Sequence, residues 1–238
     1  MVEVSPHPSP TSPNLHRPPP TSPEGVLMRA VLTLGFTVLL ATPAAAQWLG
    51  EPVWNSPKGG TGVTISGDYG KPNSDYGKGN TWGGRASLGV GTLTFTAGVA
   101  RWKPDLATDG FTSIGGNAAF RLIGGSLLPF ALNLQVGAAR TDSANSTPAQ
   151  TAVTGAAGFS VPLPTPGISI EPYFSPGIRY HSSGGTNSTE FGYVFGANLS
   201  FGLVGMHVAY DNEKLKGGGS RRVFGVGAHV DFHLPLGM

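Results

Sequence analysis

The stretch TWGGRASLGVG, residues Thr81–Gly91, alternates strictly. Trp82, Gly84, Ala86, Leu88 and Val90 fall on one face of an extended chain. Gly83, Arg85, Ser87 and Gly89 fall on the other. Successive side chains of a strand point to opposite sides, so this is a strand with one apolar and one polar face. The pattern repeats along the chain. Leu93, Phe95, Ala97 and Val99 oppose Thr94, Thr96 and Gly98. Similar runs cover Ile114–Leu122, Phe130–Ala139, Val153–Val161, Ile168–Arg179, Tyr193–Gly202, Met206–Asp211 and Phe224–Phe232, with a weaker first strand at Gly62–Tyr69. The result is about ten strands of roughly eight to twelve residues, longer than the five or six usual in soluble domains and close to the length that spans a hydrocarbon core when tilted.

The connections alternate in kind. Short links are expected at Val90–Thr92, Ile123–Leu127, Pro162–Gly167 and Leu203–Gly205. Longer polar loops are expected at Gly70–Asn80, Lys103–Gly110, Arg140–Gln150, His181–Glu190 and Asn212–Ser220. Tight turns at one end and long loops at the other fit a barrel with periplasmic turns and external loops. Tyr69, Trp82, Tyr180, Tyr193 and Tyr210 lie toward the long loops, and Phe120, Phe130, Phe159, Phe201 and Phe232 toward the short turns. Two aromatic girdles fit the two boundaries of a bilayer. The expected fold is all-β: a closed antiparallel up-and-down transmembrane β-barrel over residues 62–232, with ten strands, or eight as the alternative count. Pro172 and Pro176 share one parity inside a strand, which calls for a bulge or a loose seam.

Composition excludes several other classes. Of 238 residues, 37 are Gly and none is Cys, 12% are charged and the formal net charge is +2. No disulfide framework or thiolate metal site is available. The glycine has no three-residue period, which excludes collagen, and the charge is no nucleic-acid footprint. Only Gly25 and Gly35 precede Gln47, so the glycine belongs to the strands.

The N-terminal region reads differently. Residues 1–27 hold eight prolines, from Pro6 to Pro23, and read as a disordered extension. Met28-Arg29, the apolar run Val31–Leu40 and Ala44-Ala45-Ala46 then read as a signal peptide over residues 28–46, cleaved between Ala46 and Gln47. Such a peptide belongs at a chain start, so translation is expected to begin at Met28, with a genuine disordered leader as the alternative. Residues 47–61 are expected as a periplasmic N-terminal segment and 233–238 as a C-terminal tail.

The signal peptide, the dyad repeats, Glu171-Pro172-Tyr173 and the glycine-rich closing strand Val223–Phe232 together resemble the small bacterial outer-membrane β-barrel proteins, the OmpW-like and OmpA-like barrels. The resemblance implies residence in the cell outer membrane as a monomer, contact with outer-membrane lipid and lipopolysaccharide, and insertion by the barrel-assembly machinery. Such chains often end in an aromatic residue; here Phe232 is followed by His233–Met238. The basic residues Lys214, Lys216, Arg221 and Arg222 are candidates for lipopolysaccharide phosphates, with plain solvation as the alternative.

No nucleophile elbow, zinc motif, phosphate loop or dinucleotide fingerprint occurs. No enzyme activity and no cofactor are therefore expected. The polar parity holds Asp68, Arg85, Arg121, Glu171, Arg179, His207, Asp211, His229 and Asp231. In a barrel of this size these would pair across a narrow lumen and plug it; the alternative is a polar path for a small solute. His207, His229 and His233 do not converge in the expected register, so no metal site is assigned. Asn145 and Asn187 match a glycosylation sequon but read as ordinary polar loop residues. Two other readings stay open. An omptin-like protease would need a His–Asp couple and paired Asp residues among Asp75, Asp105, Asp109, Asp142, His181 and Asp211. A soluble secreted β-barrel or sandwich binding a ligand would bury its apolar face and present its polar one.

Overall fold

The structure, a computed structural model, describes Trp48, Glu51, Pro52 and residues 60–124 and 128–232. The expected extension, signal peptide, cleavage site at Ala46 and Gln47, and C-terminal tail lie outside the described residues. The strands are β1 (Gly62–Pro72), β2 (Asn80–Val90), β3 (Leu93–Lys103), β4 (Phe111–Ile123), β5 (Ala131–Thr141), β6 (Gln150–Ser160), β7 (Leu163–Thr165), β8 (Ile168–Ser183), β9 (Thr186–Phe201), β10 (Val204–Lys214) and β11 (Ser220–Phe232). A single 3₁₀ turn, Ser74–Tyr76, interrupts the first long loop.

Each strand pairs antiparallel with its sequence neighbour. The sheet closes through β1 on β11, and β6 on β8, giving a barrel of ten strands with β7 as a short continuation of β6. Closure satisfies the backbone without leaving an edge in the membrane. From partner to partner, Gly62 leads through Gly89, Thr94, Ala119, Gln135, Ala156, Gly177, Gly192 and Glu213 to Arg221. Arg221 is one residue from Arg222, whose carbonyl accepts from the Asn73 N–H beyond the end of β1. One circuit therefore climbs β1 by about 12 residues, the stagger of a barrel whose strands tilt by about 40°.

The face that the alternation marks as apolar is the outside. Trp82 is 67% exposed, Ile114 66% and Met206 59%, while Asp211 and Arg179 on the opposite parity are 1% and 2% exposed. This is the reverse of what a soluble barrel requires. Tyr69 and Trp82 meet at a tilt near the long loops with ring centroids 4.7 Å apart, and Phe130 and Phe159 stack near the short turns at 5.9 Å. Phe174, Phe195 and Phe224, also exposed, add outward aromatics that the two-girdle expectation omits.

Two expectations about local structure change. The predicted long loop His181–Glu190 is strand. β8 and β9 run 16 residues each and are joined by Gly184-Gly185, at φ 55° and 82°. Two residues with positive φ are what a tight hairpin turn with the twist of its strands requires, and glycine adopts them without strain. Ser182 pairs with Asn187 and His181 with Ser188, so the polar composition of this stretch conceals regular pairing. Beyond the end of β10, residues Thr186–Phe191 of β9 pair with β8 alone.

The proline problem is resolved by a loose seam, with no bulge. The β6–β8 pairing runs to Ala156↔Gly177, skips Ala157 and Gly158 opposite Pro176 and Ser175, and resumes at Phe159↔Phe174 in the same register. The β8–β9 ladder is unbroken through both prolines, so their missing N–H groups face β6 and β7. The Val161 N–H still donates to Pro172 O at 3.1 Å.

Candidate functional site

The lumen has two unlike walls. The inward positions of β3 to β6 are small or uncharged: Gly98, Ala100, Ser113, Gly115, Gly137, Ala139, Ala152 and Thr154. Among the described residues the charged exception on this side is Arg121 at the lower rim, whose guanidinium donates to Gly91 O at 3.2 Å. The remaining predicted lumen residues lie on β1, β2 and β8 to β11, and the structure brings them into connected groups.

The upper group is an ion network closed to water. Arg179 on β8 lies 2.6 Å from Asp211 and 3.5 Å from Glu213, both on β10. The guanidinium reaches them by passing over β9 at Gly192, where a Cβ would lie 2.7 Å from Arg179 Cζ. His181 Nε2 meets Glu213 Oε1 at 2.5 Å, and Gln150 Nε2 meets His181 Nδ1 at 2.9 Å. Both ring nitrogens of His181 are thus engaged, one by Gln150 and one by Glu213. Charges buried this deeply persist only when paired and hydrogen-bonded.

The lower group is built the same way. His207 on β10 crosses over Gly227 of β11 to reach Asp68 on β1, Nε2 to Oδ1 at 2.6 Å. Arg85 on β2 completes Asp68 at 2.8 Å and lies 3.1 Å from His207 Nε2. His207 Nδ1 is 3.1 Å from His229 Nδ1, with the rings stacked at 5.4 Å. The two histidines therefore do converge, against expectation. His207 pairs with Gly227, and His229 is its diagonal neighbour two residues on, a contact within reach of long side chains. The Arg85 guanidinium occupies the place a cation would take, and among the described residues no cluster is arranged to hold a metal. Nearer the short turns, Glu171 accepts from Ser160 at 2.8 Å and Asn198 at 3.4 Å, and Asp231 accepts from Thr64 at 2.5 Å. Thr64, Arg85, Glu171, Asn198 and Asp231 line a cavity of about 420 Å³ toward that end.

The upper mouth is covered by aromatic packing. Tyr76, from the 3₁₀ turn, packs on Trp102 at 5.1 Å, and Trp102 stacks on Phe111 at 5.5 Å, with Val223 beside them. Trp102 Nε1 donates to Lys78 O at 2.9 Å, tying the loop to the wall. Of the four basic residues singled out, Lys214 and Lys216 stay exposed and the two arginines have partners at the mouth. Arg221 turns inward over the Tyr76 ring at 5.3 Å, 3.9 Å from Glu213, while Arg222 pairs with Asp75 at 3.8 Å. Of the rim residues a protease would need, His181 is paired with a glutamate and Asp211 with an arginine.

Sequence reasoning missed one element of the lumen. Trp48, Glu51 and Pro52, in the segment expected in the periplasm, are buried, and Trp48 Nε1 donates to Gly98 O at 2.9 Å. No periodicity around Trp48 signals this position.

No family model matches the chain, and no curated protein sequence matches it. Solved structures do. The β domain of the Bordetella autotransporter BrkA superposes with a TM-score of 0.51 at 12% identity, over 73% of this chain and 100% of that one. Neisserial surface protein A gives 0.36 at 12% identity, over 71% and 96%. The N-terminal barrel domain of Pseudomonas aeruginosa OprF gives 0.33 at 12%, over 73% and 99%. The fold of this chain is that of the bacterial outer-membrane β-barrels.

Proposed function

We propose that the protein is an integral protein of the bacterial outer membrane with a closed lumen, and that its role is structural or surface-interacting, with no catalytic step. The observation that carries this reading is the buried network of Arg179, Asp211, Glu213 and His181 lying under the aromatic cover of Tyr76, Trp102 and Phe111. A hydrated ion crossing the lumen would have to break charge pairs that are nearly inaccessible to solvent. Outward Arg101 and Arg140, exposed at the upper ends of β3 and β5, suit phosphates of the surrounding lipid, lipopolysaccharide included. Insertion by the barrel-assembly machinery and a monomeric state belong to the same reading. The test is reconstitution into planar bilayers. Absence of steady conductance is expected, and an open-channel trace overturns the closed lumen. Membrane location is tested separately: heat-modifiable gel migration in an outer-membrane fraction is expected, and recovery in the soluble periplasm overturns it.

The cavity of about 420 Å³ favours a second reading, in which a small polar solute enters the lower lumen and binds beside Arg85, Glu171 and Asp231. Passage through the barrel would require the upper network to open.

A further inference from the structure

We infer that Trp48, Glu51 and Pro52 form an internal stopper, and that the small-residue wall of the lumen is its binding site: an indole seat made by this chain for its own N-terminal segment. The inference rests on the closed-lumen reading above and names what fills the space that reading leaves on one side.

The geometry is specific at each residue. Trp48 and Glu51 are 3% and 2% exposed, and Pro52 is buried as well. The indole N–H donates to the carbonyl of Gly98, on β3, 2.9 Å away. At Gly98 itself a Cβ would meet Gly84 O at 2.7 Å and Arg85 Cβ at 2.8 Å, so only glycine fits the seat. At Gly83, on β2, a Cβ would come within 3.2 Å of Glu51 Oε1 and 3.3 Å of Ala100 Cβ. Gly83 thus leaves the space that Glu51 occupies, while Gly98 is held to glycine by its neighbours on β2.

Chemistry also selects this wall for this segment. An indole buries a large apolar surface and needs one acceptor for its N–H when buried. The wall offers it the backbone oxygen of Gly98. The carboxylate of Glu51 lies instead beside β2, the strand that carries Arg85 two residues from Gly83. On the sequence-based expectation that export cleaves after Ala46, Trp48 is the second residue of the mature protein, which gives the segment a free end to thread.

The chain has no cysteine, so single cysteines report cleanly. The test labels Glu51→Cys with a membrane-impermeant maleimide in the refolded full-length protein, against Gly60→Cys, an exposed control in the described part of the same region. Glu51→Cys is expected to react at least about tenfold more slowly, as a buried site that must open first. Adding Trp48→Ala is expected to bring its rate to that of the control. Free indole is then the ligand probe: it should restore protection to the Trp48→Ala protein and raise its heat-modification midpoint, leaving the Trp48 protein unchanged. Reaction of Glu51→Cys at the control rate in a heat-modifiable barrel overturns the stopper. Failure of indole to act on the Trp48→Ala protein overturns the indole seat. Conductance by a barrel in which Glu51→Cys stays protected overturns the closed lumen and leaves the stopper standing.

Discussion

The two walls of the lumen solve the same problem with opposite materials. On β8 to β11, long charged side chains reach across the intervening strand to partners two strands away, and glycine lies beneath them. Gly192 lies under Arg179 and Gly227 under His207, while Gly196 lies under the neutral ring of Tyr173 and Gly205 under His229, which stays with the adjacent strand. On β3 to β6, small residues face a lumen occupied from elsewhere by Trp48 and Glu51. Glycine is abundant on both walls for different reasons. On the charged wall it makes room for a neighbour held by ion pairs. On the other it makes room for a segment of the chain that is not part of the sheet. The charged wall is therefore expected to be brittle and the small-residue wall tolerant.

The sharpest way to break that contrast is Arg179→Leu. It removes the cation paired with Asp211 and one of the two beside Glu213, and breaking a buried pair of this kind costs about 3–5 kcal/mol. The urea midpoint of the folded gel form should fall accordingly. A loss below about 1 kcal/mol would mean these carboxylates are solvated. Next is Gly227→Ala. Its methyl would overlap the His207 ring and lie 2.7 Å from Asp68 Oδ1, so overpacking should cost about 1–3 kcal/mol. Gly155→Ala, with nothing within 4 Å of the added carbon, should stay within about 0.5 kcal/mol of the parent on the same scale. Third is Thr154→Val on the small-residue wall. The buried Thr154 hydroxyl finds no hydrogen-bond partner, so removing it should raise stability by about 1 kcal/mol, the opposite sign from polar deletion on the charged wall. The smallest effect is expected where the walls meet. Pro176→Ala restores an N–H facing Ala157, a gain of about 0.5–1.5 kcal/mol. The greater freedom of the unfolded chain offsets about 0.4–1 kcal/mol of it. Slower amide exchange at Ala157 and Phe159 with a nearly unchanged midpoint is the expected reading.

The fold was legible because alternation is a local signal. Trp82 and Arg85, or Phe224 and Asp231, declare their faces without knowledge of their neighbours. The lumen residues were legible as a set for the same reason. Their partners were not, since partnership depends on register between strands. His207 pairs with Gly227, and a displacement of a residue or two would separate a stacked, hydrogen-bonded pair of imidazoles into unrelated ones. The hairpin at Gly184-Gly185 was hidden by composition, because Ser, Gly, Thr and Asn read as loop whether or not they pair. Trp48 was hidden for a deeper reason. Its position follows from the shape of a void, and a void is specified only by all the small residues that surround it.

The pairing of β9 has one consequence beyond the bilayer. Its last ladder contact with β10 is Gly192↔Glu213, while β9 extends outward to Thr186. Over Thr186–Phe191 the cylinder becomes a ribbon with a free edge. Unpaired strand edges recruit other strands. Here Asn187, Ser188 and Thr189 keep the edge short and polar, which limits what can add to it. A barrel abolishes edges, and this one reopens a single edge where water can satisfy it.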